Sequence, residues 1–138
     1  MMASIRDCDT RPEWIIRRGL HRRGFRYRLH ARKLPGRPDL VMSKHRAVVF
    51  IHGCFWHGHD CPLFKWPKTR EDFWRAKIGA NRARDARVID VLMARGWRVA
   101  IVWECALRGA GKVPGDVLER LAAWLEGDSQ GFEVKRET

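Results

Sequence analysis

Two short apolar runs, Asp39-Leu40-Val41-Met42 and Ala47-Val48-Val49-Phe50-Ile51, stand on either side of the polar Ser43-Lys44-His45-Arg46. Runs of this length, rich in β-branched residues and broken by a polar turn, predict a hairpin that enters the core. Upstream lies the turn Leu34-Pro35-Gly36-Arg37-Pro38. Before it, Phe25, Tyr27 and Leu29 alternate with Arg26, Arg28 and His30, the period of a half-exposed strand with a basic outer face. Thr10-Arg11-Pro12-Glu13 reads as a capping box with proline at the first helical position, and Trp14, Ile15, Ile16 and Leu20 continue that helix toward Gly24. Downstream, Thr69-Arg70-Glu71-Asp72 is a second capping signal, opening a helix that runs to Gly96. Trp97, Val99, Ile101 and Trp103 alternate as a further strand, and Val117, Leu118, Leu121, Trp124 and Leu125 predict a final amphipathic helix. The polar residues 127–138 are expected to form a loose tail.

With 138 residues, 45% of them hydrophobic and seven of them tryptophan, the chain is expected to be one domain over residues 1–138, with 1–9 as a short arm. Twenty-eight Lys and Arg against sixteen Asp and Glu give a formal charge of +12, which suits a polyanion, nucleic acid first among the candidates. Small ribosomal and membrane-surface proteins share such an excess, so motifs must decide. No apolar run approaches the ~20 residues that span a bilayer, and no signal-peptide stretch opens the chain, so a cytoplasmic protein without a membrane partner is expected.

Four cysteines in a histidine-containing chain of this size favour metal binding over a disulfide framework. Cys54-x4-His59-x-Cys61 places three borderline-soft donors within eight residues, and Cys105 at the end of the Trp97–Trp103 strand supplies a fourth. A structural zinc site follows, since four protein ligands leave no open catalytic position. Cys8 reads as a free thiol. On the long helix, Trp74, Lys77, Asn81 and Asp85 fall on one face, and Val88 and Leu92 continue the row into the core. Lys77, Asn81 and Asp85 are therefore expected to point at something polar, either a ligand or neighbouring side chains.

Arg37-Pro38-Asp39 before an apolar strand is similar to the metal-binding proline-aspartate of restriction-endonuclease-like folds, although the acid and lysine usual in the next strand are absent from Ala47–His52. In combination and order, Asp9-Thr10-Arg11-Pro12-Glu13, Leu34-Pro35-Gly36-Arg37-Pro38-Asp39, His52-Gly53-Cys54-Phe55-Trp56-His57, Gly96-Trp97-Arg98-Val99 and Val102-Trp103-Glu104-Cys105 resemble the very short patch repair endonucleases. The resemblance spans residues 5 to 125. It implies an α/β, restriction-endonuclease-like fold with a central mixed sheet flanked by helices and one structural zinc. It also implies magnesium-dependent nicking of double-stranded DNA on the 5′ side of the thymine in a T:G mismatch, the product of 5-methylcytosine deamination. A bacterial, nucleoid-associated monomer goes with that reading; other repair proteins as partners are not readable.

Carried over on the matching positions, Asp39 would coordinate magnesium, together with the backbone carbonyl of Ile51, where the family often has threonine. His57 would activate water and Asp85 would orient it, with His52 near the scissile phosphate and Glu13 touching the metal's water shell. Phe55, Trp56 and Trp74 would wedge into the base stack, where unstacking costs a few kcal/mol. Lys77 and Asn81 would reach the mismatched bases, and Met2 would insert from the opposite groove, without the basic arm that precedes it in the family. Two other readings remain at this point: a restriction-like endonuclease of different site or lesion specificity, and a non-catalytic zinc-stapled DNA-binding protein.

Overall fold

The computed structural model describes residues 11–29, 33–107 and 114–136. Its elements run α1 (Arg11–Arg22), β1 (Arg28–Leu29), β2 (Leu40–Met42), β3 (Ala47–His52), α2 (Glu71–Ala94), β4 (Arg98–Trp103), α3 (Pro114–Glu126) and β5 (Gly131–Val134). The strands form one sheet in sequence order. β1, β2 and β3 pair antiparallel, whereas β3, β4 and β5 pair parallel, with α2 and α3 as the connections.

The hairpin expected from the two apolar runs is β2–β3, in register Leu40↔Val49 and Met42↔Ala47. A 3-10 turn at Ser43–His45 closes it, with Arg46 in the left-handed region at φ 51°. Every residue of β3 is buried, because both faces of the sheet are covered. The strand's period of two divides those residues between two cores. Ala47, Val49 and Ile51 join Ala100 and Val102 beneath Ile16 and Leu20 of α1 and Val117, Leu118 and Leu121 of α3. Val48 and Phe50 face the other way, with Val99, against Val88 and Leu92 of α2. The molecule is thus a mixed α/β protein with helices on both faces of a five-stranded sheet.

Three expectations need correction. Residues 131–134 are not loose tail: they form β5, registered Val99↔Gly131 to Val102↔Val134, with Val134 only 2% exposed. Two alternate apolar residues, Phe132 and Val134, suffice once β4 offers an open edge, a tertiary signal invisible in so short a polar segment. The second capping box does not form either. Arg70 is the N-cap of α2, at φ 55° and ψ 41° with no side-chain cap, and its guanidinium lies 4.2 Å from the centre of the Phe73 ring. Glu71 and Asp72 still place negative charge in the first turn. The first basic strand pairs over only Arg28 and Leu29. Thr10, Met2, Cys8, His30 and the arm 1–9 lie outside the described residues.

Candidate active site and metal centre

β3 ends at His52, paired in register with Trp103 of β4, and the chain then enters the loop that carries most of the singled-out residues. Backbone bonds curl it tightly, the His57 and His59 amides donating to the Gly53 and Cys54 carbonyls at 3.3 and 2.9 Å. Gly58 sits at φ +60°, and a Cβ there would lie 2.5 Å from Ile78 of α2. Only glycine lets the loop rest on that helix. Gly36 is its counterpart in the preceding turn, at φ +74° with a would-be Cβ 2.4 Å from Val88 of α2.

The loop feeds two clusters. In the first, donor atoms of Cys54, His59, Cys61 and Cys105 all lie within 4.8 Å of one another. Cys54 and Cys105 are fully buried, and the Cys105 sulfur lies 3.5 Å from His59 Nδ1. Burial pushes the Cys54 and Cys105 thiols up and His59 down. Two thiols from the loop, one from the end of β4 and an imidazole are the donor chemistry of a closed four-coordinate site.

The second cluster holds His52, His57 and Asp85, again with donor atoms within 4.8 Å. Here the imidazoles stack, centroids 3.8 Å apart and planes 5° from parallel. A ring nitrogen's lone pair lies in its ring plane, so stacked rings aim side by side instead of at one point. This is poor geometry for a metal cage and good geometry for proton handling. His57 Nδ1 lies 2.5 Å from Asp85 Oδ2, which orients the ring and leaves Nε2 available. His52 is 6% exposed, and burial, with the nearby His57, drives it down to about 3, so it stays neutral.

Asp39 opens into the same space. A cleft of about 660 Å³ is lined by Arg37, Asp39, Ile51, His52, His57 and Asp85, among others. Asp39 Oδ2 accepts the Ile51 N–H at 2.7 Å. Burial lifts its carboxyl to about 7, against that hydrogen bond and with help from the neighbouring Glu13 carboxyl. Glu13 is itself buried, in hydrogen-bonding contact with Asp39 and ion-paired to Arg17 at 2.9 Å. The structure thus brings Asp39, Ile51, His52, His57 and Asp85 to one cleft, with Glu13 beside Asp39.

The aromatic residues gather beyond the loop. Trp74 of α2 meets Phe55 and Trp56 with centroids 5.4 and 5.9 Å away, and Phe64 stacks on Phe55 at 5.8 Å. Asn81 lies beside them, but its amide donates to the Trp56 carbonyl at 2.9 Å, holding the loop to α2. Lys77 is exposed. Sequence reasoning overlooked Arg17, although Glu13, Ile16, Arg17 and Leu20 share one buried helical stripe on which a charged pair stands out. It also overlooked Trp103 as a spacer: the indole stacks on His59 at 4.0 Å, turns its edge to His52 at 5.1 Å, and donates from Nε1 to Glu133 of β5 at 2.5 Å. No local signal marks that role.

The family model described as DNA mismatch endonuclease Vsr matches residues 1–63. The type II nicking enzyme V.XorIIP of Xanthomonas oryzae pv. oryzae is 52% identical over 111 residues, covering 80% of this chain and 82% of that protein. The DNA mismatch endonuclease Vsr of Escherichia coli is 47% identical over 134 residues, covering 96% and 86%. The type II nicking enzyme V.NmeAIP of Neisseria meningitidis is 44% identical over 108 residues, covering 78% and 77%. With the shared span reaching both clusters, the chain belongs to the Vsr family of DNA mismatch endonucleases.

Proposed function

We propose that this endonuclease nicks one strand of double-stranded DNA on the 5′ side of the thymine in a T:G mismatch, using magnesium for chemistry and zinc for structure on a restriction-endonuclease-like fold. The observation that carries the reading is the shared cleft: an oxygen-donor acid, Asp39, faces the His57–Asp85 pair across a space of about 660 Å³. Asp39, with its hard carboxylate donors, and the Ile51 carbonyl would hold magnesium, and Glu13 would meet the cation's water shell. Bound there, magnesium would stabilise charge on the scissile phosphate. His57 takes the proton of the attacking water at Nε2, Asp85 holds the ring and stabilises the resulting imidazolium, and buried neutral His52 packs against it near the phosphate. Cys54, His59, Cys61 and Cys105 would hold zinc as a structural ion, leaving the proton transfer to His57 and Asp85.

The cluster of Phe55, Trp56 and Trp74 suits insertion beside a weak pair, and Lys77 lies on the same helix for contact with the bases. Asn81 would have to leave the Trp56 carbonyl to join it, and Met2 takes its place in the opposite groove by resemblance alone. Cleaving one strand requires one active site, so a monomer is sufficient. A strand-labelled panel of matched, T:G and U:G duplexes with magnesium tests the proposal. A nick confined to the T strand of T:G supports it. Equal cutting of matched DNA would instead establish a restriction-like specificity, and salt-sensitive binding without scission a purely architectural protein.

A further inference from the structure

Two arginines line the cleft without a part in the chemistry assigned to it: Arg37, two residues before Asp39, and Arg84, one residue before Asp85. Both are exposed, and neither forms an ion pair among the described residues. The two carboxylates of the cleft have other partners, Asp39 accepting the Ile51 N–H and Asp85 holding His57. Arg84 is fixed at its tip, where one guanidinium nitrogen donates to Asn81 Oδ1 at 3.0 Å and leaves the remaining N–H groups for another acceptor. Arg37 is fixed at its backbone. Its N–H donates to the Leu34 carbonyl at 3.1 Å, and Gly36 packs the turn against Val88, one helical turn beyond Arg84 on α2. The φ of Arg37 is 50°, a left-handed conformation that a long side chain rarely takes. Arg46 and Arg70 share it, but each lays its guanidinium over a ring, Trp97 or Phe73. Arg37 has no such ring among the described residues and faces the cleft instead.

We propose that Arg37 and Arg84 grip neighbouring phosphodiesters of the strand being cut and so seat the scissile bond between Asp39 and His57. Each guanidinium presents paired N–H donors that match the two non-bridging oxygens of a phosphate, and it stays charged throughout the neutral range. One rides on the turn before Asp39 and the other on the helix that carries Asp85. A strand held by both is therefore registered against the acid and the histidine relay at once. The two arginines bind and place the strand, while proton transfer stays with His57. The grip rests on the reading of this cleft as the place where a strand is cut, and the experiment separates the two.

Zinc-loaded wild type, Arg37→Gln, Arg84→Gln, Arg37→Lys and Arg84→Lys are tested on T:G duplexes in which the phosphates around the nick site are replaced one at a time by neutral methylphosphonate. Affinity is read by fluorescence anisotropy without divalent cation, and nicking in single turnover with magnesium. Each glutamine variant is expected to bind the unmodified duplex about tenfold more weakly, with the slope of log K against log salt shallower by about 0.9. At one phosphate, a different one for each arginine, methylphosphonate should weaken wild type about tenfold but the matching glutamine variant by less than about twofold. Lysine should restore the salt slope and only part of the affinity, since it lacks the fork. Both side chains are exposed, so melting temperatures should stay within about 2 °C of wild type. Glutamine variants that keep the wild-type penalty at every phosphate overturn the grip; for Arg84, weaker binding with all penalties intact traces to the freed Asn81 instead. A grip seen in anisotropy while wild type leaves the T:G duplex uncut overturns the nicking reading and leaves the grip standing.

Discussion

The two clusters fed by the loop after β3 draw on overlapping chemistry, yet they are built for opposite tasks. Around Cys54, His59, Cys61 and Cys105 the donors converge, one imidazole among thiols, with Cys54 and Cys105 fully buried and His59 and Cys61 half-buried. Around His52, His57 and Asp85 the rings lie parallel, and the shortest contact is a hydrogen bond. Proximity of ligating atoms alone makes the two look alike. The direction of the lone pairs tells a cage from a proton relay: Asp85 orients His57, while Trp103 stacks on His59 and presents its edge to His52 between the two clusters.

The comparison breaks most easily at the cage. Stripping metal with a chelator, or Cys61→Ser, should lower the melting temperature by more than about 15 °C, since structural zinc contributes on the order of 10 kcal/mol to folding. Calorimetry with metal analysis reads it, and an unchanged melt at zero zinc would show the cage to be dispensable. Next comes the relay. His57→Ala should reduce nicking by about 10²- to 10⁴-fold with zinc content and DNA affinity preserved, and Asp39→Ala should abolish nicking on the same terms. Loss of zinc in His57→Ala would erase the distinction between the clusters.

A pH series sharpens the contrast, because the cleft titrates near neutrality. Asp39 is raised from 3.8 to about 7, so the folded chain retains a proton the unfolded chain has released. The associated stability is complete below about pH 4 and lost as pH rises through about 7. Cation-free Asp39→Asn should therefore gain a few kcal/mol on wild type between about pH 4 and pH 8 in urea unfolding; a gap that does not change with pH would contradict the buried acid. The smallest effect is expected from Asp85→Asn, which keeps a partner for His57 but removes its charge: roughly 10- to 100-fold slower nicking, with the melting temperature within about 2 °C of wild type.

Much of this was legible in residue order. The β2–β3 hairpin, the helix that turns Asp85 inward, and the Cys54–Cys61 spacing all follow from local period and donor type, which act over a few residues. Non-local features were not. β5 is recognisable only once β4 provides an edge, and the stacking of His52 on His57 depends on a loop held by Gly58 against Ile78. Asn81 shows the same limit from the other side: the row it belongs to was readable, but its partner, a loop carbonyl, was not. Arg17 lay in plain view four residues after Glu13, yet helix spacing alone cannot say that the pair is buried against Asp39.

β5 is the last described strand to leave the ribosome, and its Glu133 anchors the indole between the two clusters. Until residues 131–134 emerge, β4 keeps an unpaired apolar edge, a template for wrong pairing with other nascent chains. A chain cut short before Gly131 would carry every loop residue named above and still lack the anchor for Trp103. Competence to cut DNA is thereby tied to synthesis that reaches Val134, and chains that stop before Gly131 are expected to be poor nucleases.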